Sequence, residues 1–333
     1  MSVRVSFPGG DKWHKLALFT SANHIGNHAL RRAGHLFEIS SGNRRAIITQ
    51  QGATLAKVRW DGTELLGRPA GDDDDCWANS GAYGQLLVPW PGRVANGSYE
   101  YEDQAYRLPL DDHSGMNAIH GLARWVTWQP GEHLADRVTL TYTLLAVPGY
   151  PWTLDLEQSY AWQSDHLEIS FTAKNGGNCT APFGYGSHPY FSVGSETVDY
   201  DLLHIPASGY LEVAGGYPTG KVLPVEGTAY DFRQPRPIGE QRLDVTLADL
   251  VRDDEGRVVV EFRSATGGPS ITCRYEEPIR FVQVYTGDTL PTGQRKAAAI
   301  EPYTCAPDAF NNGMGLAHIA PGASIRARWT ISA

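Results

Sequence analysis

The feature that most constrains this chain is a rhythm of short runs that alternate between apolar and polar residues. "HLFEIS", "RAIITQQGATLAKVRW", "SYEYEDQAYRL", "RVTLTYTLLA", "TLDLEQSYAW", "HLEISFTAKN", "VVVEFRS", "PSITCRY", "IRFVQVYTG" and "SIRARWTIS" follow one another along it, rich in Val, Ile, Thr and Tyr. A period of two sends successive side chains to opposite faces of a strand. Gly, Pro, Asn and Asp bound the runs, and turns such as "WDGTE" and "DDEGR" stand at hairpin spacing. Sustained helical periodicity is nearly absent. "LADL", residues 247–250, and the region of "PDAFNNG" could each hold one helical turn. The pattern predicts an all-β protein, a large antiparallel β-sandwich in which one sheet can curve to leave an open concave face. A propeller would repeat its sequence about every 40 residues, and no such self-similarity is found.

The 333 residues exceed the usual length of one domain, but all-β domains run past about 200 residues. With no low-complexity linker, one domain is expected over residues 35–333, after an N-terminal extension, residues 1–34, partly ordered by Trp13, Leu16, Leu18 and Phe19. The net charge of −9 argues against a nucleic-acid partner, which would call for a basic face. No apolar run reaches 18 residues, and the N-terminus lacks a signal-peptide core, so no membrane partner is expected. Cys76, Cys179, Cys273 and Cys305 form no C-x-x-C pair. Reduced thiols in a cytoplasmic protein are the default for such a set. Asp72–Asp75 in "GDDDDC" are consecutive rather than alternating as calcium ligands would be, so a solvated loop is expected there.

Four stretches break the strand rhythm and keep unusual polar residues. Arg93 lies between Pro91-Gly92 and the turn at Asn96-Gly97, which can aim its planar guanidinium at hydroxyls or a carboxylate; taken alone it reads as a surface arginine. His120 follows Asn117 and precedes Trp125 and Trp128; the aromatics suit either core packing or the C–H faces of a sugar. His188 sits in "FGYGSHPYFSVG" between Gly186 and Pro189, either as a turn residue packed under aromatics or as a proton carrier at a pocket mouth. Glu301 ends the apolar run of "KAAAIEPY"; it reads as an exposed strand-end acid, or, if buried, as a base with a raised pKa. No nucleophile elbow, phosphate loop or dinucleotide fingerprint stands in a supporting context. His120 and His188 lack the H-x-H or H-E-x-x-H spacing of metal ligands, so no metal is expected.

In this order, from about residue 35 to the C-terminus, the segments resemble the aldose 1-epimerase (galactose mutarotase) family. "PGRVANGSYEYEDQAYRL" is similar to its Asn-Arg-Ile segment and following hairpin, with Gly92 in place of the usual asparagine. "NAIHGLARWVTW" is similar to its Asn-x-x-His-Gly segment, and "GSHPYFSVG" to its His-x-Tyr-Phe segment. "YPTGKVLPVEGTAYDFRQPRPIG", residues 217–239, is similar to its Pro-Thr-Gly, Gly-Thr and Asp-Phe-Arg stretch. The resemblance implies a β-sandwich binding a sugar on its concave side and interconverting the anomers of a free aldose without cofactor. It implies Glu301 as general base on the anomeric hydroxyl and His188 as general acid on the ring oxygen. His120 would assist near that oxygen or hold a hydroxyl, and Arg93 would bind sugar hydroxyls. The family's aspartate falls at Asp244, with Asp249 as the weaker choice; Val245-Thr246 and Leu247 stand where the family often has a histidine or aromatic and a phenylalanine. Two alternatives remain at this point. A sugar-phosphate epimerase of the same superfamily would gather cations, with Arg93, Arg124 and Arg233 as candidates, and a non-catalytic sugar-binding protein would not need the acid–base set.

Overall fold

A computed structural model describes residues 33–67 and 81–333. Trp13, Leu16, Leu18 and Phe19 of the N-terminal extension, the Asp72–Asp75 run and Cys76 lie outside the described residues.

Alternation in the sequence becomes alternation of burial. In the strand Leu154–Trp162, Leu154, Leu156, Gln158, Tyr160 and Trp162 point inward, and its neighbour Leu167–Asn175 repeats the pattern. The two pair antiparallel from Leu154↔Asn175 to Trp162↔Leu167. They lie within a nine-stranded sheet whose spatial order is Gln129–His133, Arg137–Leu144, Leu154–Trp162, Leu167–Asn175, Ser324–Ser332, Ser270–Tyr275, Val258–Arg263, Leu202–His204 and Arg236–Pro237. The C-terminal strand Ser324–Ser332 thus sits mid-sheet and ties the two halves together.

A second sheet runs Tyr217–Pro224, Ala207–Ala214, Asp244–Leu250, Phe281–Tyr285, Ala298–Tyr303, Gly186–Ser187 and Leu86–Leu87, with Tyr190–Phe191 also pairing to Ala298–Tyr303. Inward residues of both sheets merge into one buried cluster, with Leu156, Ile169 and Phe171 from the first and Val245, Val282, Val284, Ala298 and Ile300 from the second. A four-stranded sheet, Leu36–Ser41, Arg44–Thr49, Leu55–Trp60 and Thr63–Glu64, adds Phe37, Ile39, Ile48 and Val58 to that cluster. The large antiparallel β-sandwich expected from the pattern is the fold observed.

Two local expectations need correction. "LADL" is not a helical turn: it lies in the strand Asp244–Leu250, paired on both sides. Val245 and Leu247 enter the core while Thr246 faces the other way, so strand pairing overrides the local helix preference of Leu and Ala. "RAIITQQGATLAKVRW" is two strands folded back at Gly52, whose φ is +68° and where a Cβ would stand 2.3 Å from the Arg124 carbonyl oxygen. The single turn expected in "PDAFNNG" is present as the helix Ala309–Asn312.

Candidate active site

The second sheet has a core face and an outer face, and the site grows from the outer one. In Ala298–Tyr303 every residue is buried. Ala298 and Ile300 belong to the central core, so the period of two turns Ala299, Glu301 and Tyr303 the other way. Glu301 pairs with Gln283, and Gln283 with Thr246, so three polar residues form one row across adjacent strands. Asp244 and Tyr285 are paired one step along.

His188 reaches this row from the chain segment beside Ala298–Tyr303. Gly186 and Tyr190-Phe191 pair in one register with Tyr303 and with Ala298-Ala299, while Gly186-Ser187 pair on the other side with Leu86-Leu87. In that register His188 stands opposite Glu301, and on its other side its backbone bonds to Gln85 O and Gly84 N. The imidazole stacks on Tyr190 at 5.0 Å, and its Nε2 lies 3.5 Å from Glu301 Oε1. Both side chains are almost wholly buried, Glu301 at 1% and His188 at 6% exposure. The His120 ring meets the His188 ring edge-on at 5.3 Å. Gly92 fixes His120 twice: its N–H donates to His120 Nδ1 at 3.2 Å and its carbonyl accepts from His120 N. A ring that accepts at Nδ1 carries its proton on Nε2 when neutral. Gly92, at φ +68° and with Pro307 2.8 Å from where a Cβ would be, has no room for a side chain.

These residues line a cleft of about 810 Å³, together with Arg93, Arg124, Asp111, Asp112 and Asp244. Burial sets the electrostatics. It raises the Glu301 pKa well above the usual carboxylate value, against the bond from Tyr303. It pushes His188 down to about 3, and His120 well below its ordinary value, with the charges of His188, Arg124 and Arg93 adding to the effect. Burial raises Asp244 as well, opposed by Arg93 and by Gln283, whose Nε2 donates to Asp244 Oδ1 at 2.7 Å. Asp112 is the opposite case. Burial opposes its charge, but bonds from Asn117, Ser114 and the backbone outweigh it and hold the carboxyl far below its normal value. That carboxylate accepts from Arg93 Nε at 3.3 Å and so anchors the guanidinium at the cleft.

The family model described as Aldose 1-epimerase matches residues 35–332. The chain belongs to the aldose 1-epimerase family. It is 32% identical to an uncharacterized protein, YihR, of Escherichia coli K12 over 87% of this chain and 90% of that protein. It is 26% identical to the galactose mutarotase of Sus scrofa over 66% of this chain and 67% of that one. Among solved structures, the GalM/aldose epimerase homologue from C. elegans superposes with a TM-score of 0.78 at 21% identity, over 90% of this chain and 98% of the other.

Within this aldose 1-epimerase family chain, all five residues singled out from the sequence, Arg93, His120, His188, Asp244 and Glu301, line one cleft. Asp249 is not among the lining residues; it has φ +50° near the strand end. Arg233 is also outside the lining and forms a pair with Asp231 at 2.7 Å. Arg124 does line the cleft, held by Asp111 at 2.6 Å. Gln283, Thr246 and Tyr303 also line the cleft and are not among the residues singled out from the sequence. Alternation in "IRFVQVYTG" and "AAIEPY" carries the signal for two of them: residues two apart on a strand share a face, so Tyr303 travels with Glu301 and Gln283 with Tyr285. Among the described residues no three His, Cys, Asp or Glu side chains converge as metal ligands would, and no helix is long and apolar enough to cross a membrane.

Proposed function

We propose that this protein is an aldose 1-epimerase in activity, interconverting the α and β anomers of a free, uncharged aldose by acid–base ring opening and closure. The observation that carries the reading is the 3.5 Å approach of Glu301 Oε1 and His188 Nε2 in one cleft. Glu301 takes the proton of the anomeric hydroxyl and His188 delivers one to the ring oxygen. The bond between C1 and the ring oxygen breaks, its electron pair goes to that oxygen, and C1 becomes an aldehyde. After C1 rotates about its bond to C2, the hydroxyl attacks the other face of the carbonyl and both protons return. His120 presents its Nε2–H to the ring oxygen or a hydroxyl, and Arg93 and Asp244 hold further hydroxyls.

Opening the ring leaves a neutral carboxylic acid beside a neutral imidazole. Burial favours that same charge state, raising Glu301 and lowering His188. The cleft is therefore biased toward the protonation state that accompanies the open-chain intermediate, which is stabilisation of the high-energy species rather than of the substrate. A protein that only bound sugar would need no such opposed pair. An uncharged substrate is supported by the cleft's charges. Arg93 and Arg124 are its two strong cations among the described lining residues, each is paired with an aspartate, and they stand against four carboxyl groups. We also place the protein in the cytoplasm, which the free thiols of Cys179, Cys273 and Cys305 support.

Polarimetry on freshly dissolved α-glucose, α-galactose, other neutral aldoses and phosphorylated hexoses tests this. Acceleration of at least one neutral aldose and of no phosphorylated sugar is expected. Turnover confined to a phosphorylated hexose would overturn the uncharged substrate. A buffer rate on every sugar, with tight binding of one, would replace the enzyme by a sugar-binding protein.

A further inference from the structure

Glu301 carries a second contact that the reaction scheme above does not use. The Tyr303 hydroxyl donates to Glu301 Oε2 at 2.6 Å, while Oε1 faces His188. Both side chains are 1% exposed, so this bond is made away from bulk water, where a bond to a charged acceptor counts for more. The phenol is held tightly. Its strand pairs Tyr303 with Phe281 on one side and with Gly186 on the other. Gly186 leaves space for the ring: a Cβ there would stand 2.8 Å from Tyr303 Cδ1, 2.9 Å from its Cε1 and 2.7 Å from Pro91 Cβ. The Tyr303 hydroxyl itself cannot compete as an acid, because burial and the neighbouring Glu301 hold its own pKa well above normal.

We infer that Tyr303 is a positioning residue for the base: its hydroxyl pins Glu301 Oε2, presents Oε1 to the sugar and to His188, and stabilises the carboxylate that burial disfavours. The inference rests on the proposed mutarotase reading for its effect on rate, and on geometry alone for its effect on Glu301. A carboxyl group shut away from water gives up its proton too reluctantly to act as a base. One strong donor on the non-reacting oxygen brings its charged and neutral forms closer in free energy, and the proton can then move in both directions during each turnover. Either oxygen could serve in a freely rotating carboxylate. With Oε2 occupied, only Oε1 is left for the chemistry.

The experiment has a direct and a kinetic arm. Infrared titration follows the Glu301 carboxylic-acid band, identified by its absence in Glu301→Gln. In Tyr303→Phe the midpoint should rise by about one pH unit or more, the size expected for losing a bond to a charged acceptor. 3-Fluorotyrosine at position 303 keeps the ring and hydroxyl but donates more strongly, so the midpoint should fall; this arm serves even if Tyr303→Phe folds poorly. Kinetically, Tyr303→Phe should lower kcat roughly ten-fold with KM little changed, and move the alkaline limb of the rate profile upward. A merely structural role would lower the active fraction and leave both midpoint and limb in place, which would overturn the inference. Shifted midpoints in the Tyr303 variants, with a wild-type protein that accelerates no sugar, would support the Tyr303–Glu301 coupling and contradict the proposed reaction instead.

Discussion

At Glu301 two opposing influences meet: burial holds a proton on the carboxyl, and Tyr303 favours its release. His188, 3.5 Å away, is pushed by burial the other way. Groups this close titrate as a pair, and the reaction needs the pair to hold one proton, on either member. The sign of the pH dependence follows. A second proton must go onto His188, whose pKa is lowered to about 3, so activity should persist as pH falls through the ordinary imidazole value of about 6.5 and be lost only near the lower figure. Loss of the only proton is governed by Glu301, so the alkaline limb lies well above the usual carboxylate range. A kcat/KM profile on the preferred sugar, with circular dichroism to confirm folding at each pH, checks this. An acid limb near 6.5 would mean that His188 is far better solvated than its 6% exposure implies.

At the scale of the element, the strand Ala298–Tyr303 does two jobs with one alternation: Ala298 and Ile300 close the core, while Glu301 and Tyr303 on the other face line the cleft. This much was legible in "AAIEPY", since a period of two is a local property. The convergence of His120, His188 and Glu301 was not, because it depends on long-range pairing of Gly186-Ser187 with Leu86-Leu87 and of Tyr190-Phe191 with Ala298-Ala299. Family resemblance supplied that grouping where spacing could not. Gly186 shows the same division. The sequence places a glycine two residues before His188, and only the fold reveals that Tyr303 and Pro91 approach it. Gly186→Ala should therefore cost about 1–3 kcal/mol in denaturant unfolding, the range for overpacking a filled site. It should also shift the Glu301 midpoint in the direction of Tyr303→Phe. Unchanged stability and an unchanged midpoint would show that the ring does not depend on that space.

Across the whole molecule, two large antiparallel sheets share one core, and the cleft opens on the face of the second sheet that the core leaves free. Strand rhythm made the class of fold readable, because ten alternating runs with hairpin spacing admit few other solutions. Which runs pair across the sheets was not readable; Ser324–Ser332, last in sequence, lies in the middle of its sheet. The core packing that shapes the cleft also dries its floor, and that dryness separates the proton affinities of Glu301 and His188. Anomeric exchange catalysed by this pair is the central consequence. The most direct measurement is the rate of exchange between the α and β anomeric protons of a neutral aldose at equilibrium, read by magnetisation-transfer NMR with wild type, Glu301→Gln and His188→Asn at equal folded concentration. Wild type should accelerate the exchange, and either variant should lose on the order of 10²–10⁴-fold, the usual contribution of a positioned acid or base. Wild-type exchange at the buffer rate, or variants that match wild type, would contradict catalysis by this pair.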